Sequence, residues 1–266
     1  VLTNDGPFTV FAPTNDAFEA FLMANDFNSL DDIPTEILTQ VLLNHVMAGT
    51  NLSTDLSSGY VSTLSTAGAN DANLSMFINT EDSVTLNGNS TVTAADNKAI
   101  NGVVHIVDAV IGLPNIVDHA IANPNLTSLV GALTADNNTT FTTLLTDSET
   151  DFTLFAPLNT AFESFTNPSD NDLNSILANH VISGAAANAE SLTNTYFNTA
   201  AMNADGDNLS IYVNIDDGVT LNGTSTVVAA DIIATNGIIH AVNTVIDLPT
   251  VVTFATADPN FSSLVG

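Results

Sequence analysis

The sequence predicts two tandem units that each combine strands with helices, and three features carry that prediction. A stretch running from Asn101-Gly102-Val103-Val104-His105 to Gly112-Leu113-Pro114 recurs as Asn236-Gly237-Ile238-Ile239-His240 to Asp247-Leu248-Pro249, a period of 135 residues. Asn-Gly pairs between alternating residues, Asn87-Gly88 and Asn222-Gly223, mark tight hairpins. Apolar residues at helical spacing fill the intervals, as at Ile37, Leu38, Val41 and Leu42.

In chain order, Phe8-Thr9-Val10-Phe11-Ala12-Pro13 reads as a short strand with a proline stop, followed by a helix with Phe18 and Phe21 on one face. Asn15 or Asp16 is the expected cap, and Asp16 with Glu19 has capping-box spacing. The second copy, Phe152 to Phe165, lies 144 residues on, with Thr160 and Glu163 as its box. The nine extra residues of the first unit fall in a loop around 25–33. A helix then leads to Leu43-Asn44-His45-Val46, matched by Ile176-Leu177-Ala178-Asn179-His180-Val181, and a polar stretch expected to be irregular follows. From Leu74 and Leu209 the pattern becomes a β-meander ending in the repeated motif. In that motif Asn-Gly tolerates positive φ, the β-branched run suits a pleated surface, and Leu-Pro ends the ladder. After Pro114, Ile116, Val117, Ala120, Ile121, Leu126, Leu129, Val130 and Leu133 have helical spacing, and Phe141, Leu144 and Leu145 form a further apolar cluster.

Composition narrows the function. The chain of 266 residues has 29 acidic side chains against one base, Lys98, for a formal charge of −28. Nothing could neutralise phosphates, so nucleic acid and anionic membrane surfaces are excluded as partners, and no apolar run is long enough for membrane insertion. Self-repulsion of this size suits a saline, extracellular setting. With no cysteine, neither disulfides nor thiolate metal sites contribute. The chain opens in mid-pattern at Val1-Leu2, as expected of a mature piece of something longer.

The ordered motifs Thr-Val-Phe-Ala-Pro-Thr-Asn-Asp-Ala-Phe (9–18), Leu-Leu-Asn-His-Val (42–46) and Asn-Gly-Val-Val-His-Ile-Val-Asp (101–108) resemble the fasciclin-like domain family, and each recurs in the second unit. The resemblance implies an α+β fold of two tandem domains, each a twisted, wedge-like β-sandwich packed with several helices, an extracellular or cell-surface adhesive role, and no catalytic site. Asn44 and Asn179 stand where the family often has Tyr, in a region linked to receptor binding in animal members, so receptor recognition is not transferred. The family's Asp-Ile pair is present as Asp231-Ile232 but is Asp96-Asn97 in the first unit.

Two groups of residues invite chemical readings. His45, His105, His180 and His240 occupy equivalent places in apolar sequence, with no neighbouring nucleophile or metal-ligand pair, and read as hydrogen-bonded core histidines. His119 aligns with Phe254, which favours packing there too. Asn203, Asp205 and Asp207 alternate like the first ligands of a calcium loop, but Asn208 and Asn214 replace the glycine and the terminal glutamate of that pattern. The stretch reads as an Asp-Gly turn, with weakly bound Ca2+ the only cofactor expectation.

The expected domains are 1–114, lacking its N-terminal helices, a complete unit at 115–248, and 249–266 as the start of a third. Thr250–Gly266 copies Asn115–Gly131, so its Thr250, Val251, Val252, Phe254, Phe261, Leu264 and Val265 form an amphipathic segment with no domain behind it. Two accounts fit. The segment docks on the incomplete first unit of another copy and propagates a fibre, or the chain is a window on a longer array. The function expected is an adhesive or structural extracellular protein; a calcium- or polysaccharide-binding surface module is the alternative.

Overall fold

The structure is a computed structural model and describes residues 2–3, 6–135, 140–167 and 169–265. The chain divides into two compact units, Val1–Pro114 with Ile233–Thr235, and Asn115–Ile232 with Asn236–Gly266. The stretch 249–266, expected to begin a third unit, groups with the second.

The first unit runs β1 (Phe8–Pro13), α1 (Asn15–Ala24), α2 (Thr35–Asn44), β2 (Val46–Ala48), β3 (Gly59–Ser62), β4 (Ser75–Asn79), β5 (Thr85–Leu86), β6 (Ser90–Ala99) and β7 (Gly102–Val107). Its seven strands are hydrogen-bonded in the order β2-β1-β7-β6-β5-β4-β3. The repeated motif is therefore an interior strand, parallel to β1 from Phe8↔Gly102 to Pro13↔Val107 and antiparallel to β6. Register shifts in β6, between Val92 and Ala94 and between Ala94 and Asn97, bend the ladder. Phe11, Met47 and Val107 from one half then meet Met76, Ile78 and Leu86 from the other, which makes the folded-over sheet a wedge-like sandwich. A second cluster, Ala17, Val41 and Val110 with Phe18 and Phe21, seats α1 and α2.

The second unit begins with α3 (Ile116–Ala122), α4 (Thr127–Leu133) and α5 (Thr140–Leu145). It continues with β8 (Phe152–Pro157), α6 (Asn159–Ser164), α7 (Leu173–Ala178), β9 (Val181–Ser183), β10 (Thr195–Met202), β11 (Asn208–Asn214), β12 (Thr220–Leu221), β13 (Ser225–Ala234) and β14 (Gly237–Val242). The order β10-β11-β12-β13-β14-β8-β9 repeats the first sheet, again with a parallel pair, β8 with β14. Short α8 (Val251–Ala257) and α9 (Ser262–Val265) end the described chain.

The predicted hairpin turns form as expected: Asn87 and Gly88 have φ 47° and 70°, Asn222 and Gly223 50° and 66°. The glycine opening the motif serves a closer purpose than a turn. A Cβ on Gly102 would run into the carbonyl oxygen of Phe8, and one on Gly237 into that of Phe152, so only glycine lets the parallel strand approach.

Three expectations change. The cap of α1 is Thr14, whose Oγ1 accepts the Ala17 N–H at 3.2 Å, rather than Asn15 or Asp16. Pro13 ends β1 and leaves Thr14 extended, so the helix starts one residue earlier than the expected cap allows. In the second unit the equivalent residue is Leu158, without a cap bond, and Thr160 lies inside the first turn of α6. The stretch expected to be irregular holds the edge strands β3 and β10; an edge strand pairs on one side only, and the half-exposed pattern of β10 hides its period.

Candidate functional site

The four histidines form two kinds of internal brace, used once per unit. His45 caps the C-terminus of α2; its Nδ1–H donates to the Val41 carbonyl at 2.7 Å, and its Nε2 accepts the Ile111 N–H at 2.9 Å. His180 does the same with Ile176 (2.8 Å) and Ile246 (2.9 Å). The backbone donor fixes each ring as the neutral Nδ1–H tautomer. Burial pushes both rings down to about 4 from an ordinary 6.5. His105 and His240 carry the opposite tautomer. Their Nε2–H donates to the carbonyls of Asn51 and Ala187, each at 2.9 Å, and Nδ1 accepts the N–H of Asp96 or Asp231 at 3.3 Å. Each stacks on a phenylalanine, Phe11 at 5.4 Å and Phe155 at 5.6 Å. Burial also lowers the pKa of His240. All eight ring nitrogens face the fold's own backbone, which leaves these histidines structural.

Sequence reasoning singled out Asp96, Asp231, Asn44 and Asn179 but not the hydrogen bonds by which they complete these braces. Asp96 and Asp231 sit at the bend of β6 and β13 with φ 65° and 59°. Asp96 accepts from the Ser53 hydroxyl and N–H, at 2.7 and 2.8 Å, which hold its carboxyl below the usual range. Asp231 accepts the Ala189 N–H at 2.8 Å. Asn44 and Asn179, at the family's tyrosine position, are buried: Asn44 donates to Gly112 O at 2.7 Å and accepts from Thr63, and Asn179 donates to Asp247 O and accepts from Thr199. The available signal was the Asp preceding the motif at the same place in both units.

Asn203, Asp205 and Asp207 come together, but as a turn. Asn203 Oδ1 accepts the N–H groups of Asp205 and Asp207, both at 2.9 Å, and Gly206 supplies φ 85°. Among the described residues no group of three or more His, Cys, Asp or Glu side chains could hold a metal ion.

The end segment and its counterpart diverge most. In the second unit α3 to α5 lie over the β8–β14 face. Ile116, Leu126, Leu129 and Leu145 are fully buried, Ile116 N donates to Asn236 Oδ1 at 3.1 Å, and Asn236 Nδ2 donates to Leu145 O at 2.7 Å. Every residue of β8 and β14 is buried. In the first unit β1 and β7 alternate, with Phe8, Val10 and Val104 only half-buried beside a cavity of about 120 Å3 that Leu2 and Asn101 also line. Conversely, Val251, Val252, Phe261, Leu264 and Val265 are exposed, Val251 to 85% and Leu264 to 76%, whereas their equivalents Ile116 and Leu129 are at 0% and 1%. Thr250 and Phe254, named with them, are used locally. Thr250 Oγ1 caps α8 through Thr253 N at 3.2 Å, and Phe254 packs edge-on against Tyr196 at 5.2 Å. Tyr196 also donates its hydroxyl to Asp258 at 2.9 Å; burial and that carboxylate push its pKa up to about 12. The segment is thus held on one side and bare on the other.

The fasciclin-domain family model matches residues 1–114 and 124–249, and the chain belongs to that family. The architecture is similar to that of a domain pair from the insect cell adhesion molecule Fasciclin I, with TM-score 0.54 and 20% identity over 92% of this chain and 90% of that one. Among curated relatives, the chain is 28% identical to transforming growth factor-beta-induced protein ig-h3 of Sus scrofa and 29% to Homo sapiens periostin, over 90% and 91% of its own length. It is 29% identical to a fasciclin-like arabinogalactan protein of Arthroderma benhamiae over 61% of its length. It covers 34%, 28% and 37% of those relatives, about a third of each. Among the described residues no helix is long and apolar enough to cross a membrane.

Proposed function

We propose that this protein is a non-enzymatic, extracellular structural or adhesive protein of tandem fasciclin domains, which assembles head-to-tail into a fibre or belongs to a longer array. The observation that carries the reading is the repeated fasciclin fold, the same strand order built twice in one chain. The half-covered β1–β7 face of the first unit corresponds to the face that α3 to α5 bury in the second, and the exposed residues of α8 and α9 correspond to the residues that do the burying. Apolar surface of this kind is covered either by another copy, where a heterologous contact that does not close propagates an open filament, or by further units of a longer array. The relation to adhesion proteins supports the setting. The histidines and the acidic turn, spent on internal hydrogen bonds, support a non-enzymatic reading.

Sedimentation of the chain over a range of concentrations, with electron microscopy of the product, tests the proposal. Concentration-dependent linear oligomers support the fibre, and a monomer at every concentration would falsify it in favour of the longer array. A marked rise in melting temperature on adding Ca2+, without oligomers, would instead favour a surface-binding module.

A further inference from the structure

One carboxylate has left the acidic surface. The chain carries 29 acidic side chains, and among the described residues Asp258 alone of them is buried, at 5% exposed. Taking a carboxylate out of water is costly unless donors meet it, and here they do. Tyr196 donates its hydroxyl at 2.9 Å, and the Asn260 N–H and Nδ2 each donate at 2.9 Å. Asp258 lies on the segment that leaves the sheet after β14, yet Tyr196 stands on β10, at the far end of the order β10-β11-β12-β13-β14. The segment therefore reaches back to the edge strand of its own domain. Phe254 sets its ring edge-on against Tyr196 at 5.2 Å, and Tyr196 in turn lies against Tyr212 of β11 at 4.9 Å. Ala257 closes on the β12–β13 turn so tightly that a Cβ on Gly223 would lie 3.2 Å from both its Cα and its Cβ.

We propose that Tyr196, Tyr212 and Gly223 form a recognition site for the chain's own exit segment, and that the seated segment fixes the direction in which the chain leaves the second domain. Each contact has a separate part. Phe254 supplies the aromatic face, Ala257 is small enough to lie against a glycine, and Asp258 selects the tyrosine hydroxyl while holding the turn that follows α8 through Asn260. The buried carboxylate sets register more than it adds stability, since an apolar side chain of the same size would seat without the cost of desolvating a charge. A segment slipped by one helical residue would turn that side chain by about 100°. Away from Tyr196 the carboxylate would lose its donor, so the wrong register is penalised as well as the right one favoured. The proposal does not depend on association between copies and holds for a fibre and for a longer array alike. Any chain beyond the segment is then presented in a set direction rather than on a free linker.

Because the chain has no cysteine, two introduced ones carry spin labels at chosen points. Asp205→Cys labels the exposed β10–β11 turn and Ser263→Cys the exposed α9. Pulsed dipolar spectroscopy, with unlabelled protein in excess so that only distances within one copy are read, should give a single narrow distance. Adding Phe254→Ala/Asp258→Ala, which alters the segment and no strand, should replace it by a broad distribution while the strand signal in circular dichroism stays at the parent's level. A broad distribution in the labelled parent, or one as narrow in the alanine variant as in the parent, overturns the proposal. Tyr196→Phe gives a second readout, because it removes one hydroxyl and keeps the ring. The distribution should widen in part, and an unchanged width overturns the role given to Asp258.

Discussion

His45 and His180 turn the core of each unit into an acid-sensitive device. Each ring accepts a backbone N–H through Nε2, so protonation there would set two donors against each other. An unfolded histidine protonates near 6.5 and these only near 4, so the stability they confer is complete above pH 6.5 and lost as pH falls from 6.5 towards 4. Each ring is almost wholly buried, and the shift corresponds to roughly 3 kcal/mol per histidine. Thermal melts between pH 8 and 4 should show the melting temperature falling through that window, and His45→Phe/His180→Phe should flatten the slope at a lower overall stability. An unchanged slope in the double variant would place the acid sensitivity elsewhere.

At the scale of elements, helix starts show what the sequence makes legible. Periodicity located α1 and α6, but Asn15, Asp16 and Thr160 all satisfy a capping preference, and spacing alone does not say which residue is extended. The proline stop decides it by leaving Thr14 as the last extended residue. Thr14→Ala should lower stability by about 1 kcal/mol, measured by urea denaturation, whereas Asp16→Ala should leave it nearly unchanged; equal losses would return the cap to Asp16. The motif strands, the Asn-Gly turns and the core histidines were legible because each rests on local chemistry that recurs in both units. The edge strands β3 and β10, the Asp96–Ser53 clasp and the Tyr196–Asp258 anchor were not, because they depend on tertiary partners, 43 residues away for Asp96 and 62 for Tyr196, that no local pattern encodes. The same limit applied to the end segment. Its apolar residues were evident, but the use of Phe254 and Thr250 within the second unit appears only once Tyr196 and Thr253 are in place.

For the whole molecule, a charge of −28 with one base is a standing repulsive load on both units. Raising salt from about 0.01 M to about 1 M shortens the screening length from roughly 30 Å to roughly 3 Å. The melting temperature should therefore climb with NaCl, and a salt-independent melt would mean that the acidic side chains cost the fold nothing. A different property follows from the parallel pair β8–β14. The strands are far apart in sequence, adjacent in space and joined over six register positions from Phe152↔Gly237 to Pro157↔Val242. Tension entering the unit at Phe152 and leaving at Val242 pulls these neighbours along their length in opposite directions. The rungs then carry load together in shear rather than opening one after another. A protein strung between surfaces or copies would on this account yield abruptly, at a force set by that short ladder. Single-molecule stretching tests it: Ile239→Pro, which deletes a backbone donor from the clamp strand, should lower the rupture force of the second unit and spare the first. Equal forces in parent and variant would show that the load runs through another part of the sheet.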